Sequence, residues 1–158
     1  MTSRGRGEVA RRKQRLVALF KAIDGADLSG ELTSHYSRYL CVLTSGFVEQ
    51  SVKELVTEYC RARSSEPIQR YVGSQLKKLR NIDSEKLKQL IESFSVEWWR
   101  EIAEKYPDEL DTIGSIATVR NNISHGGDTG ITMSTMRQYF GDACTLMDKL
   151  AELFDPEP

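Results

Sequence analysis

The chain contains no long apolar run and few of the residues that build metal sites. Its most apolar window, Tyr39 to Val48, is too short to span a bilayer, and no apolar stretch stands near its start. We therefore expect neither membrane association nor a secretory signal. With only two histidines and no C-x-x-C pair, the composition argues against a zinc site, and we expect no metal and no cofactor.

Cysteines are also few, and their number is odd. Cys41, Cys60 and Cys144 lie far apart, each inside an apolar helical pattern. This arrangement predicts buried thiols in a reducing compartment rather than disulfides, and hence a cytoplasmic protein.

Neither sign of charge dominates the chain, whose formal net charge is −1, but its two ends differ. Residues 1–24 carry seven Lys and Arg against two acids, whereas residues 107–158 carry three against nine. A basic N-terminal arm can contact phosphate with a salt-sensitive affinity that does not depend on sequence. A solvated, frayed terminus explains the same charges.

Apolar residues recur with a period of about 3.6, and no segment alternates with period two for long. The pattern predicts helices at about residues 8–23, 31–63, 66–81, 84–94, 95–106, 108–124 and 132–154. The second is the longest and is apolar nearly all round near residues 39–48, which is typical of a central helix. We predict an all-α antiparallel helical bundle around that helix, a single domain over residues 1–158 with flexible ends at 1–7 and 155–158.

One charged side chain interrupts the apolar stripe of the helix predicted at 108–124. On a helical wheel, Arg120 falls near the middle of the arc formed by Leu110, Ile113, Ile116, Ala117, Val119 and Ile123. Because burying an unpaired guanidinium is very unfavourable, Arg120 needs a carboxylate, a subunit partner or a ligand. Its planar fork suits phosphate. Alternatively, its stem packs while its head reaches a nearby acid.

His125 stands five residues further on, directly before Gly126 and Gly127. The glycines predict the end of the helix, so the imidazole can turn toward the side of Arg120. Imidazole titrates near neutrality and suits general acid–base catalysis, although a cation at a helix C-terminus is also stabilised by the helix dipole. The intervening asparagines either bond a phosphate or expose their amides as ordinary helix-end residues.

The hexapeptide from Arg120 to His125 resembles the signature of the HEPN family: an arginine, a polar residue that is often asparagine, three variable residues and a histidine. It also stands where that family carries it, at the end of a late helix before the last one. The segment 39–49 is similar to the second helix of the RiboL-PSP branch of HEPN domains. In helix order the resemblance covers most of the chain.

This resemblance implies a homodimer in which Arg120 and His125 of both subunits line one cleft. It implies metal-independent RNA cleavage, in which the 2′-hydroxyl attacks the adjacent phosphate. His125 would move the proton, Arg120 would stabilise the phosphorane charge, and Asn121 would position the phosphate or the histidine. Glu49 matches a polar position that often faces the site, but Glu49 and Lys53 also have the i,i+4 spacing of an ordinary surface pair.

Among HEPN proteins are toxins and antiviral effectors, so the resemblance also suggests an effector held by an inhibitory antitoxin or another protein partner. The alternative is a HEPN domain that binds RNA, a nucleotide or a protein without cleaving anything. A plain helical adaptor would leave Arg120 unexplained.

Two further features have ordinary explanations beside functional ones. Trp98 and Trp99 could stack on bases, but an amphipathic helix with one buried tryptophan explains them better. Basic residues could extend an RNA track or could form solvated helix faces; they are Arg61, Arg63, Arg70, Lys77, Lys78 and Arg80.

Overall fold

A computed structural model describes residues 4–127 and 130–157. Over these residues the chain forms seven α-helices and no strand. They are α1 (Arg4–Asp24), α2 (Gly30–Arg63), α3 (Glu66–Lys77), α4 (Ser84–Phe94), α5 (Val96–Lys105), α6 (Pro107–Ser124) and α7 (Met133–Leu153). The prediction of an all-α fold is confirmed. In the described ranges, no helix is both long and apolar enough to cross a membrane.

The long second helix occupies the centre of the bundle, as its apolar circumference predicted. Ser29 caps its first turn by accepting the Leu32 N–H at 3.3 Å. Helices α1, α3, α6 and α7 all pack against α2, and α7 also contacts α1 and α6. Helices α4 and α5 pack on each other and on α6. The main core therefore lies between α1, α2, α6 and α7.

Trp98 belongs to a cluster of four aromatic rings at one end of this core. Its ring centroid lies 5.2 Å from that of Phe154 and 5.9 Å from that of Tyr59, both edge-on, and Phe94 completes the cluster. This contact agrees with the packing explanation of Trp98.

One lysine, Lys149 of α7, is buried. The ammonium of Lys149, whose side chain is 6% exposed, donates to Glu101 at 2.8 Å and lies 3.5 Å from Glu152. The hydrogen bonds from Lys149 and Lys105 lower the pKa of the Glu101 carboxyl. The bond to Glu101 in turn raises the pKa of Lys149. The pair links α5 to α7.

The three cysteines are free and buried, as the sequence predicted. Burial raises the pKa of Cys41 and of Cys144 to about 11, and it also raises the pKa of Cys60. These thiols are therefore protonated near neutral pH and are poor nucleophiles.

The first helix begins earlier than apolar periodicity predicted, at Arg4 rather than near Glu8. Residues 4–7 of the predicted flexible end therefore lie within this helix, while residues 1–3 and 158 lie outside the described range. The first residues of α1 lack an apolar stripe, and contacts with other helices hold them instead. A Cβ at Gly5 would stand 3.0 Å from the backbone oxygen of Glu54, and Arg6 bonds the carbonyl of Ala151.

The third helix ends at Lys77, four residues before the predicted end at Asn81. Leu79 N–H bonds Leu76 O at 3.1 Å, which tightens the last turn. Asn81 then adopts φ +48°, in the left-handed region that asparagine tolerates better than most residues. The chain consequently turns toward α6 at this point.

Candidate functional site

The candidate site lies at the C-terminal end of α6, which closes in a Schellman motif. Gly126 adopts φ +76°, its N–H bonds Ile123 O at 3.0 Å, and Gly127 N–H bonds Asn122 O at 2.7 Å. The predicted termination by the glycine pair is confirmed. His125 is the C-cap residue and its side chain is exposed. Because backbone N–H groups satisfy these carbonyls, the imidazole is not needed for capping.

Arg120 is half-buried rather than enclosed in the core, which corrects the position that the helical wheel suggested. Burial along α6 decreases toward its end: Ile116 and Ala117 are buried, whereas Val119 and Ile123 are half-buried. Across residues 4–127 and 130–157, no hydrogen bond or ion pair engages the Arg120 guanidinium. A buried acid partner is therefore missing from the described part of the chain.

The side chain of Asn121 accepts a hydrogen bond from a residue outside the motif. Asn81 Nδ2 donates to Asn121 Oδ1 at 2.8 Å and to Ala117 O at 3.4 Å. Ser45 of α2 in turn donates to Asn81 Oδ1 at 3.5 Å. The left-handed backbone at Asn81 makes this reach between α2 and α6 possible. With its oxygen accepting this bond, Asn121 has its amide N–H groups available to an anion.

Beside the end of α6 lies an open hollow of about 440 Å³. It is lined by Arg38 of α2, Ile123, Gly126 and Gly127. Ile123 follows Arg120 by three residues and therefore shares its side of the helix. The hollow thus combines the cationic side chain of Arg38 with the exposed backbone of Gly126 and Gly127 at the end of the motif.

Arg38 connects this hollow to the other histidine of the chain. Its Nη2 lies 2.5 Å from His35 Nδ1, and its Nη1 donates to Ser34 Oγ at 3.3 Å. His35 is exposed and lies 3.9 Å from Glu31. A second imidazole thus lies one side chain away from the hollow.

Glu49 forms the ordinary helix pair that its spacing allowed. Lys53 Nζ donates to Glu49 Oε1 at 3.1 Å, and both side chains are largely buried. In the described residues no hydrogen bond or ion pair joins Glu49 to the segment 120–125. The structure thus brings Arg120, Asn121 and His125 to one helix end and leaves Glu49 engaged with Lys53; a role for Glu49 stays a prediction.

Arg38 and Asn81 are the site residues that sequence reasoning missed. Asn81 gave a faint signal, since an asparagine after a helix is typical of a left-handed residue. Arg38 gave none, because a cation on a long helix usually faces solvent.

Comparison with known proteins agrees with the fold and the helix order. The family model described as RiboL-PSP-HEPN matches residues 8–155. No curated protein and no solved structure matches the chain significantly. Since the match covers nearly all of the described helices, the chain belongs to the RiboL-PSP-HEPN family.

Proposed function

We propose that this protein is a metal-independent endoribonuclease that acts as a homodimer in the cytoplasm. The observation that carries the proposal is a half-buried Arg120, with no acid partner among the described residues, at the same helix end as an exposed His125. A guanidinium left without a protein partner is suited to a phosphate, which it can bind through two parallel hydrogen bonds. Membership of the HEPN family, many of whose members cleave RNA, supports the same conclusion.

The chemistry assigned to the site needs no group beyond its side chains and the RNA. A base removes the proton of the 2′-hydroxyl while the 2′-oxygen forms a bond to the adjacent phosphorus. The bond from phosphorus to the 5′-oxygen breaks, and an acid protonates that leaving oxygen. The products carry a 2′,3′-cyclic phosphate and a 5′-hydroxyl. His125 acts in the proton transfers, Arg120 stabilises the phosphorane charge, and Asn121 donates to a phosphate oxygen.

Each motif contains one imidazole, whereas this reaction uses both an acid and a base. A second subunit would supply the other imidazole across a two-fold axis. Helix α2 offers an apolar surface for that subunit. Leu32, Tyr36 and Tyr39 lie on one side of it, at i, i+4 and i+7, and are 48%, 38% and 52% exposed. Arg38 stands in the same turns of α2, about a third of a turn around the helix from this surface.

Dimerisation has a direct test in light scattering. The proposal requires a particle of twice the 17.9 kDa of one chain. Tyr39→Glu places a charge in the proposed interface and should yield monomers with reduced cleavage. Val96→Glu is the matched control, since Val96 is similarly exposed, at 49%, but is the first residue of α5 and lies outside the proposed interface. A wild-type protein that remains monomeric at micromolar concentration would contradict the composite site.

The activity is tested on a labelled single-stranded RNA with EDTA present throughout. Cleavage should persist, the products should carry 2′,3′-cyclic phosphate, and His125→Ala should lower the rate by about 10²–10⁴-fold while RNA binding is retained. His35→Ala is the control that distinguishes the two histidines. If both variants lose cleavage equally, acid and base lie within one chain and the second subunit is not needed. A magnesium requirement or a 3′-hydroxyl product would refute the mechanism.

A non-catalytic HEPN domain is the second candidate, and one observation favours it. Within residues 4–127 and 130–157 no hydrogen bond orients the His125 imidazole, whereas catalytic histidines are commonly held by a partner group. Such a protein would bind RNA, a nucleotide or a protein through Arg120 and leave the RNA intact. A toxin or antiviral effector under the control of an antitoxin is the biological setting we propose for the active form.

A further inference from the structure

The face of α3 that points away from α2, together with the turn that follows it, is strongly basic. Residues 66–81, which form α3 and that turn, carry four Lys and Arg against a single acid, Glu66, in a chain whose net charge is −1. Arg70 forms a long, exposed pair with Glu66, at 3.9 Å. The side chains of Lys77, Lys78 and Arg80 are exposed and have no hydrogen bond or ion pair among the described residues. Their charge is therefore uncompensated.

An aromatic ring stands in the middle of this basic face. Tyr71 is 65% exposed, more than any other large apolar side chain that is exposed on the described surface. No hydrogen bond or ring contact from the described residues holds its side chain. An amphipathic helix does not require an unsupported tyrosine on its outer side, because Val72 and Leu76 already form the face that packs on α2.

Helix geometry places the ring and the charges in one row. Tyr71 and Lys78 are seven residues apart, so they share a side of the helix, about 10 Å from each other along its axis. Arg70 and Lys77 form a parallel row beside them. An extended strand lying along α3 would thus meet a ring flanked by cations, the combination with which proteins bind unpaired nucleic acid.

The basic end of α3 leads directly to the candidate site. Three residues after Lys78 comes Asn81, whose side chain donates to Asn121 at 2.8 Å, next to Arg120. Lys77, Lys78 and Arg80 therefore lie between Tyr71 and the motif along the chain. A strand held on α3 could continue past Asn81 toward the end of α6.

We propose that α3 and the turn at residues 78–81 form a binding site for single-stranded RNA, with one base stacked on Tyr71 and its neighbouring phosphates bound by Lys77, Lys78 and Arg80. The site would hold the substrate beside the cleavage centre, and in this respect the inference rests on the proposed function. Stacking requires an unpaired base, so the site selects single strands over duplexes.

The test measures binding of a fluorescein-labelled oligoadenylate to the full-length His125→Ala protein by fluorescence anisotropy. Tyr71→Ala should weaken binding by about 5- to 150-fold, the loss of one stacked base. Tyr71→Phe keeps the ring and should bind like the parent. Binding weakens as salt rises, so the slope of log K against log salt is negative. Replacing Lys77, Lys78 and Arg80 together by Gln should make this slope less steep by about 2, since each phosphate contact contributes about 0.7. Circular dichroism establishes that each variant is folded.

Two controls make the result specific. Gln substitutions at Arg100, Lys105 and Arg137 remove the same number of exposed charges elsewhere and should leave the slope unchanged. Ile68→Ala removes the other exposed apolar side chain of α3, which is 53% exposed, and should leave binding unchanged. Equal losses from Ile68→Ala and Tyr71→Ala would indicate an apolar docking surface for a protein and overturn the proposal. Equal slopes for the two triple variants would overturn it as well.

The use of His125→Ala keeps this inference separable from the proposed activity. If the wild-type protein cuts no RNA but binding depends on Tyr71, the ribonuclease is refuted and the α3 site stands. If the wild-type protein cuts RNA but binding is indifferent to Tyr71, the reverse holds.

Discussion

Replacing Arg120 by Ala distinguishes an arginine that waits for phosphate from one that only stabilises the fold. In the described part of the chain the guanidinium has no acid partner. Truncation therefore strands no buried carboxylate, and the cost is confined to the aliphatic stem. A structural arginine would instead leave its partner charge buried and unpaired. The two roles predict different melting temperatures.

The size of each effect follows from the position of Arg120. A fully buried methylene contributes about 0.8 kcal/mol, so the two methylenes that alanine removes from a half-buried arginine contribute about 1 kcal/mol. Arginine and alanine differ little in helix propensity. For a chain of this size, 1 kcal/mol lowers Tm by about 2–4 °C. A stranded partner would cost about 3–5 kcal/mol, which corresponds to roughly 6–20 °C.

Activity should respond far more than stability. Loss of one donor that stabilises transition-state charge typically costs about 10²–10³-fold in rate. Arg120→Lys tests whether charge alone suffices, because lysine keeps the charge but lacks the planar fork. We expect Arg120→Ala to melt within a few degrees of the parent and to be inactive, and Arg120→Lys to be badly impaired.

The assay combines thermal melting by circular dichroism with cleavage of labelled RNA, under identical buffer conditions. Arg100→Ala provides the baseline, since Arg100 is exposed and, among the described residues, pairs only with Glu97, at 2.6 Å. A drop in Tm of about 6 °C or more, with cleavage retained by the folded fraction, would make Arg120 a structural arginine. The proposed site would then lose its phosphate-binding group.

Three other residues or pairs yield further predictions. Asn81→Gly keeps the left-handed backbone but releases Asn121, so it should lower cleavage with little change in Tm. Asn81→Ala should lower the unfolding free energy by about 1–2 kcal/mol more, because alanine disfavours that φ. Equal cleavage by the parent, Asn81→Gly and Asn81→Ala would refute the positioning role. The thiol of Cys41, with its pKa raised to about 11, should resist a disulfide reagent at neutral pH and react only on unfolding; fast labelling of the native protein would contradict its burial. Glu101→Gln should lower Tm by leaving Lys149 buried without its main partner. Since the pKa of Glu101 lies below its ordinary value of 4.5, the stability that this carboxylate contributes is fully present above pH 4.5 and is lost as pH falls through the lowered pKa. The Tm difference from the parent should therefore disappear on acidification, and a constant difference would contradict the assignment.

Most of the helices could be predicted from the sequence because each carries its own local signals. Apolar spacing defined the faces, Asp83 and Thr132 formed caps before α4 and α7, and Gly126 ended α6 in the left-handed conformation it favours. The family was likewise accessible, since the segment from Arg120 to His125 combines a motif with its place at a helix end.

What the sequence did not reveal depends on contacts between distant segments. The start of α1 at Arg4 is fixed by close packing of Gly5 on α2, which no periodicity reports. The depth of Arg120 depends on how far the neighbouring helices cover the end of α6, so a helical wheel alone placed it too deep. The bond between Asn81 and Asn121 spans forty residues and requires a left-handed turn that only the folded chain shows.

The end of α6 has its backbone needs met by the chain itself, which leaves its side chains free for a ligand. Gly126 and Gly127 satisfy the last carbonyls, and Asn81 fixes Asn121 from the side of α2. Among the described residues, no hydrogen bond or ion pair engages the imidazole of His125 or the guanidinium of Arg120. Both are groups that a phosphate and a second subunit would engage. We infer that the isolated chain holds half of a site, so that activity should depend on protein concentration wherever dimers dissociate.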